Sequence, residues 1–355
     1  MNLKDYICIY PFKNIEIHET NVHFCCPEWL PHSISTSDTP LNEMWNSDMA
    51  VEIRKSVMDG SYKYCDKQMC PHLNNLLKFG KDIKNVIVHK DKVEPYIKEY
   101  YDTQKGEIKE TPQILQMSLD RTCNLKCPSC RLDFIVLSSE GNKKVQKRIE
   151  DITDEFGKTI HTIYTSSSGE PFASPATKNF FRTFDKFKFP KLRNIHLHTN
   201  ATLWDEKMWE SVKPIHPYVK SIEISIDAGN KFTYENVTRI GGDWDKLIHN
   251  LQFINSIDTI KSIKTSFIVQ SVNYSELKQF LDLMKSIFGK KVVVYFGKLQ
   301  DWGTYQLGEE FNSMDVSLST HPHHQSFLEH LKSVYKDEQV FSNLIHLVNE
   351  EKTLV

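Results

Sequence analysis

The sequence predicts an α/β protein: a partial (β/α)6 TIM-type barrel preceded by a small cysteine-rich domain. Three observations predict it. Apolar β-like runs alternate with amphipathic stretches from residue 113 onward, the pattern of parallel strands joined by helical crossovers. Six such units over about 190 residues are too few for a complete eightfold barrel. Five of the eight cysteines fall in the first 70 residues, and none follows Cys130.

The elements follow in chain order. Residues 1–75 read as short extended pieces and turns, with a helix over 42–58 on the spacing of Met44, Val51, Ile53 and Val57, stopped near Gly60. Residues 76–112, rich in Lys, Glu and Tyr, read as a helical connector. Residues 113–300 form the barrel, with strands expected at 114–119, 162–166, 194–199, 221–226, 262–269 and 292–296 and a helix at 275–287. Residues 301–355 form a C-terminal extension of loops with helices near 325–335 and 341–350.

The strands carry a functional hint. Buried parallel strands are usually continuous apolar runs. Here Ile222, Ile224 and Ile226 alternate with Glu223, Ser225 and Asp227, and Gln116, Ser118 and Asp120 behave alike, as do His196, His198 and Asn200. If the apolar faces meet outer helices, the polar faces line an open cavity for a polar ligand. An antiparallel sheet with one wet face is the alternative.

Charge excludes some partners. Lys and Arg total 44 against 46 Asp and Glu, for a net charge of −2, so nothing argues for nucleic acid or an anionic membrane. No apolar run approaches the roughly 20 residues of a membrane span, and the N-terminus lacks a signal-peptide pattern. A cytoplasmic protein is expected. In a reducing compartment eight cysteines point to metal or catalysis rather than disulfides. Cys123, Cys127 and Cys130 lie on one short loop after the first barrel strand. Three thiolates can hold three irons of a [4Fe-4S] cubane and leave the fourth open; a zinc site completed by a distant ligand is the alternative.

The Cys-x3-Cys-x2-Cys loop in this position resembles the radical S-adenosylmethionine (SAM) superfamily signature. Further motifs resemble the family's in order: Ser168-Gly169-Glu170-Pro171, Thr199-Asn200-Ala201, Ser225-Ile226-Asp227, Arg239-Ile240-Gly241, and Gln270 with Asn273. The resemblance implies that Ser168, Gly169 and Glu170 hold the methionine amino group. It implies that Ser225 and Asp227 contact the ribose, that Arg239 pairs with the SAM carboxylate, and that Asn200, Gln270 and Asn273 lie near SAM. Three positions depart from the family pattern: Ser129 where an aromatic residue is usual, Ser168 for the first glycine, and Ala201 for the glycine of the third motif. The implied chemistry is reductive cleavage of SAM to methionine and a 5′-deoxyadenosyl radical, which abstracts a substrate hydrogen. An electron donor such as a flavodoxin or ferredoxin is implied as partner.

Cys8, Cys25, Cys26, Cys65 and Cys70, with Trp45-Asn46-Ser47, Arg54 and Gly60, resemble a SPASM or twitch-type auxiliary cluster domain, here placed before the barrel. That implies a second [4Fe-4S] cluster on Cys8, Cys65, Cys70 and either Cys25 or Cys26; structural zinc on the same residues is the alternative. The substrate is expected to be a polar molecule, a sugar or other small metabolite or a peptide, undergoing oxidation, epimerisation or cross-linking. Peptide maturation within the same superfamily is one alternative, and a non-catalytic zinc-stabilised binding module is another. The cysteine-rich start leaves no room for an N-terminal peptide-recognition domain, which tilts the expectation toward a small molecule. Tyr164, His198 and Glu223 face inward by the alternation and are candidates for substrate contact. The His321-Pro322-His323-His324 run reads as an exposed loop, with a metal site as the alternative.

Overall fold

The computed structural model describes residues 2–82, 84–165, 168–305 and 309–348. Among the described residues twelve strands occur in chain order: β1 Tyr6–Cys8, β2 Asn14–His18, β3 Asn21–His23, β4 Ser35–Thr36, β5 Ile87–His89, β6 Ile114–Ser118, β7 Thr162–Thr165, β8 Asn194–Thr199, β9 Val219–Ser225, β10 Ser262–Val269, β11 Val292–Lys298 and β12 Val340–Ser342. Ten of them form one sheet in the order β12-β11-β10-β9-β8-β7-β6-β2-β3-β4. All six expected barrel strands, β6 to β11, are present and parallel. Ser166, the expected last residue of the second, lies outside the described residues.

The sheet is wider than the sequence predicts. β12 adds parallel to β11, and β2 adds parallel to β6, pairing Glu16 with Gln116 and His18 with Ser118. β3 and β4 continue the edge antiparallel. The N-terminal segment therefore extends the barrel sheet. β2 alternates as a strand should, but nothing local indicates that its partner lies a hundred residues on.

Three further expectations change. The 42–58 helix is two helices, Leu41–Met44 and Asp48–Met58. Ser47 caps the second by accepting from Ala50 N, while Trp45 Nε1 and Asn46 Nδ2 donate to Glu110 O and Ile108 O. The connector is mixed, with helices Pro71–Phe79 and Pro95–Thr103 around β5, which pairs antiparallel with β1. The expected helix near 341–350 is β12 and a 3-10 turn, Ile345–Leu347; Asn349 and Glu350 lie outside the described residues. Helix His324–Val334 matches its expectation closely. The histidine run is not an exposed loop: His321 Nε2 and His324 Nδ1 pair with the carbonyls of Ser313 and Val316, and both residues are buried.

Helices cover the apolar face. Val145, Ile149, Ile152 and Phe156 bury one side of the helix Ser139–Phe156, and Leu277, Phe280, Leu281, Met284 and Phe288 do so for Leu277–Phe288. They meet sheet residues such as Ile163, Ile195, Leu197, Ile222 and Ile224, all at most 1% exposed. The opposite face carries Gln116, Tyr164, His196, Ser221, Glu223 and Lys264, all less buried than the apolar residues between them. Helix coverage is one-sided and the other face is polar, as the alternation predicts.

Candidate active site

The three-cysteine loop is held between neighbouring loops. Cys123 N donates to Ile135 O, and Lys126 N to Ile240 O, a bridge that ties the loop to the turn after Arg239. Cys130 N and Arg131 N both donate to Cys127 O. Each sulfur meets a donor from a different place. Asn200 Nδ2 approaches Cys123 Sγ at 3.8 Å, Arg239 Nη1 reaches Cys127 Sγ at 3.4 Å, and Arg131 Nη2 reaches Cys130 Sγ at 3.4 Å. Burial pushes the Cys123 thiol up to about 11, and the Arg131 guanidinium pulls the other way. Cys127 is likewise raised by burial and opposed by Arg239. The two guanidiniums thus favour the thiolate form that metal binding needs.

The second and third motifs are locked together. The Glu170 carboxylate is 1% exposed as a residue and accepts from Thr199 Oγ1 at 2.8 Å, Asn200 N at 2.7 Å and Phe172 N at 3.2 Å. Burial pushes it up to about 7 despite these donors. Gly169 has backbone on its open side: a Cβ there would lie 2.3 Å from Asp120 O and 2.9 Å from Thr122 O. Only glycine lets the β7 loop pass so close to the strand that leads into the cysteines.

On the fourth strand, Ser225 Oγ pairs with His198 Nε2 at 2.8 Å. Asp227 has a left-handed backbone, φ 58°, and meets Arg239 Nη2 at 2.7 Å. Arg239 is placed by a π-helical turn, Tyr234–Thr238, and its Nε also donates to Ile226 O. The two ionic groups thus reach the site already paired with each other.

These groups line one open cleft of roughly 820 Å³, its open mouth included. The wall brings together Cys123, Cys127, Cys130, Ser168, Gly169, Glu170, His198, Asn200, Ser225, Asp227 and Arg239. Gln270 and Asn273 are not on it. Gln270 Oε1 accepts from Tyr305, and Asn273, fully buried, holds the backbone of Asp227, Ile268 and Gln270. They brace the wall from behind. Tyr164 and Glu223 lie farther along the polar face, Tyr164 stacked obliquely on His196 and Glu223 paired with Lys264. Burial draws His196 down to about 4, and it also lowers His198. Lys298, Gln300 and Trp302 join the wall unforeseen; Lys298 ends β11, and Gln300 and Trp302 follow it.

The upstream cysteines divide four to one. Cys25 lies within electrostatic reach of Cys8, Cys65 and Cys70, and Cys8 within reach of Cys65 and Cys70. Cys26 instead neighbours Glu28 and Glu16. Asp66 N donates to Trp29 O and Cys70 N to Asp66 O, tying the two cysteine loops. Among the described residues no three His, Cys, Asp or Glu groups converge tightly enough to hold a single ion. A cubane puts each thiolate on a different iron and so uses a wider spacing than one zinc. The Cys123, Cys127 and Cys130 thiols, each with its own N–H donor, fit such a cluster.

Residues 117–284 match the family described as the Radical SAM superfamily, from the first barrel strand to the helix after β10. Molybdenum cofactor biosynthesis protein 1 of Dictyostelium discoideum is 25% identical over 179 residues, 48% of this chain. The matched stretch is 26% of that protein, so the chain spans about a quarter of this relative. Among solved structures, SuiB of Streptococcus suis bound to S-adenosylmethionine aligns over 88% of this chain and 66% of its own, at 14% identity and a TM-score of 0.46. anSMEcpe with bound AdoMet aligns over 56% and 54%, at 17% identity and a TM-score of 0.39. Likenesses this distant carry no argument about activity. The match over 117–284 supports the radical SAM superfamily. Among the described residues no helix is long and apolar enough to cross a membrane.

Proposed function

We propose that the chain is a radical SAM enzyme whose catalytic cluster is held by Cys123, Cys127 and Cys130. The observation that carries this reading is their convergence, each thiol with its own N–H donor, on one cleft with the loops that follow β7, β8 and β9. When bound, a [4Fe-4S] cluster with one open iron supplies an electron to SAM and so a 5′-deoxyadenosyl radical. Arg131, Arg239 and Asn200 favour the thiolates by donating to them. Gly169 opens room for backbone contact with SAM, and Glu170 fixes the Thr199-Asn200 turn against that backbone. The Asp227–Arg239 pair holds the floor in shape, and Ser225 with neutral His198 offers hydrogen bonds to hydroxyl groups. An electron donor such as flavodoxin or ferredoxin would serve it.

The substrate in this reading is a polar molecule on the polar sheet face, with a sugar or other small metabolite preferred to a peptide. Cys8, Cys25, Cys65 and Cys70 hold an auxiliary cluster, and Cys26 is spare. Anaerobically reconstituted protein is expected to be brown, to hold about eight irons, and to release 5′-deoxyadenosine from SAM with a reductant. Cys25→Ala should lose about four irons and Cys26→Ala none. A colourless protein holding only zinc, with no SAM cleavage, overturns the proposal.

A further inference from the structure

The polar face of the sheet carries a charge cluster that the cofactor cleft does not use. Lys264, on β10, faces Glu223 on β9 in register, with Nζ 3.0 Å from Glu223 Oε1. The same ammonium stands 4.3 Å from the centre of the Tyr295 ring. Tyr295 pairs in register with Phe341, and their rings are tilted with centres 5.6 Å apart. Lys84, from the N-terminal segment, places its ammonium 5.7 Å from the Phe341 ring centre. Two ammonium groups thus stand over one aromatic platform and lie within electrostatic reach of each other.

Only one of the two ammonium groups has an ion-pair partner among the described residues. Glu223 is the one carboxylate in ion-pair contact with this cluster among the described residues. Asp82, the other carboxylate within electrostatic reach of Lys84, accepts hydrogen bonds from His72 Nδ1 and the backbone N–H groups of Lys84, Val86 and Ile87. Lys84 is exposed, and no hydrogen bond or ion pair of its ammonium occurs among the described residues. Lys84 thus stands over a ring and close to a second cation without an ion-pair contact of its own.

The position links the cluster to the cleft. His198, Glu223 and Lys264 are consecutive cross-strand partners on β8, β9 and β10, and His198 is on the cleft wall. At about 4.8 Å per strand, Lys264 lies on the order of 10 Å across the sheet from His198. A small substrate reaches both.

We infer that Lys84 and Lys264 form an anion subsite, so that the substrate is a small polar molecule bearing a carboxylate or a phosphate group. This rests on the reading of the polar face as the substrate site. Lysines act as point charges without the planar fork of arginine, so the subsite accepts either anion geometry. Glu223 holds Lys264 upright, and Lys84, brought by the N-terminal segment, closes the subsite. The substrate therefore contacts both halves of the chain.

The test is calorimetric titration of anaerobically reconstituted full-length protein with inorganic phosphate and, separately, with succinate. Saturable binding of at least one anion is expected, and the one that binds identifies the group. Lys84→Met should weaken that binding about tenfold, the loss of one charge-assisted contact, and Lys84→Arg should restore most of it. Lys264→Gln should act in the same direction. Failure of the wild type to bind either anion, or unchanged binding by Lys84→Met, overturns the inference. Release of 5′-deoxyadenosine from SAM is measured on the same samples. Intact cleavage without anion binding sinks the subsite alone, whereas absent cleavage counts against the radical SAM reading.

Discussion

Ala201 carries a left-handed backbone, φ 60°, in the fully buried turn that leads from β8 into the site. An L-residue pays roughly 1–2 kcal/mol there that glycine does not. Ala201→Gly is expected to stabilise the protein by about 0.5–1 kcal/mol after the greater freedom of unfolded glycine is counted. Urea denaturation with an unchanged slope checks it; a lower midpoint would mean that the buried methyl packs better than the strain hurts. Type and spacing were enough to bring Cys123, Cys127, Cys130, Gly169 and Ser225 to one cleft wall, where the structure places them. The place of Gln270 and Asn273 behind that wall was not readable. Asn273 turns inward because Gln270 N, Asp227 O and Ile268 O all lie within its reach, and no spacing announces such a closure. Arg239 was identified as part of the site, but its pairing with Asp227 depends on the π-helical turn between them.

Elements were legible where they are long and alternate. β8 and β10 have the boundaries that the sequence predicts, since His196 and His198 interrupt Ile195 and Leu197, and Lys264 interrupts Ile263 and Thr265, with period two. β12 is three residues and its pattern is too short to outweigh a helical reading. The 42–58 helix divides because Trp45 and Asn46 bond outward to residues 108–110, which a local pattern cannot reveal. The loop after β7 is the element most exposed to a single change. Gly169→Ala forces a methyl onto two carbonyl oxygens of the Asp120–Thr122 segment. The loop must then move away from the cysteines. Little loss of global stability is expected, within about 1–2 kcal/mol, but SAM binding should fall at least about tenfold. Equilibrium dialysis with SAM on reconstituted protein checks this, and wild-type affinity would remove Gly169 from the site.

At the scale of the whole molecule, one guanidinium fastens the N-terminal segment. Arg54 is fully buried between the Phe24 and Trp45 rings, 4.9 and 4.7 Å away. It donates to the carbonyls of Pro11, Trp45 and Gly106 and to Asn46 Oδ1, with no carboxylate among the described residues in ion-pair contact, and burial draws its pKa down to about 9. Arg54→Met leaves three buried carbonyls without their donor and should cost about 3 kcal/mol or more. Arg54→Lys should recover only part, because an ammonium lacks the planar fork. A denaturation midpoint for Arg54→Met within about 1 kcal/mol of wild type would end this account.

The pairing of β2 with β6 has a consequence in time. Glu16 and Gln116 are 100 positions apart and share a hydrogen bond. At about 5–20 residues per second on the ribosome, β2 waits on the order of 5–20 seconds for its neighbour to be made. During that interval Cys8, Cys25 and Cys26 emerge on a chain whose sheet edge has no template, and contacts of such long sequence separation form slowly even afterwards. Metal delivered during synthesis would meet loose thiols rather than a site, so iron is best loaded after release, once the second half of the barrel has closed on the first.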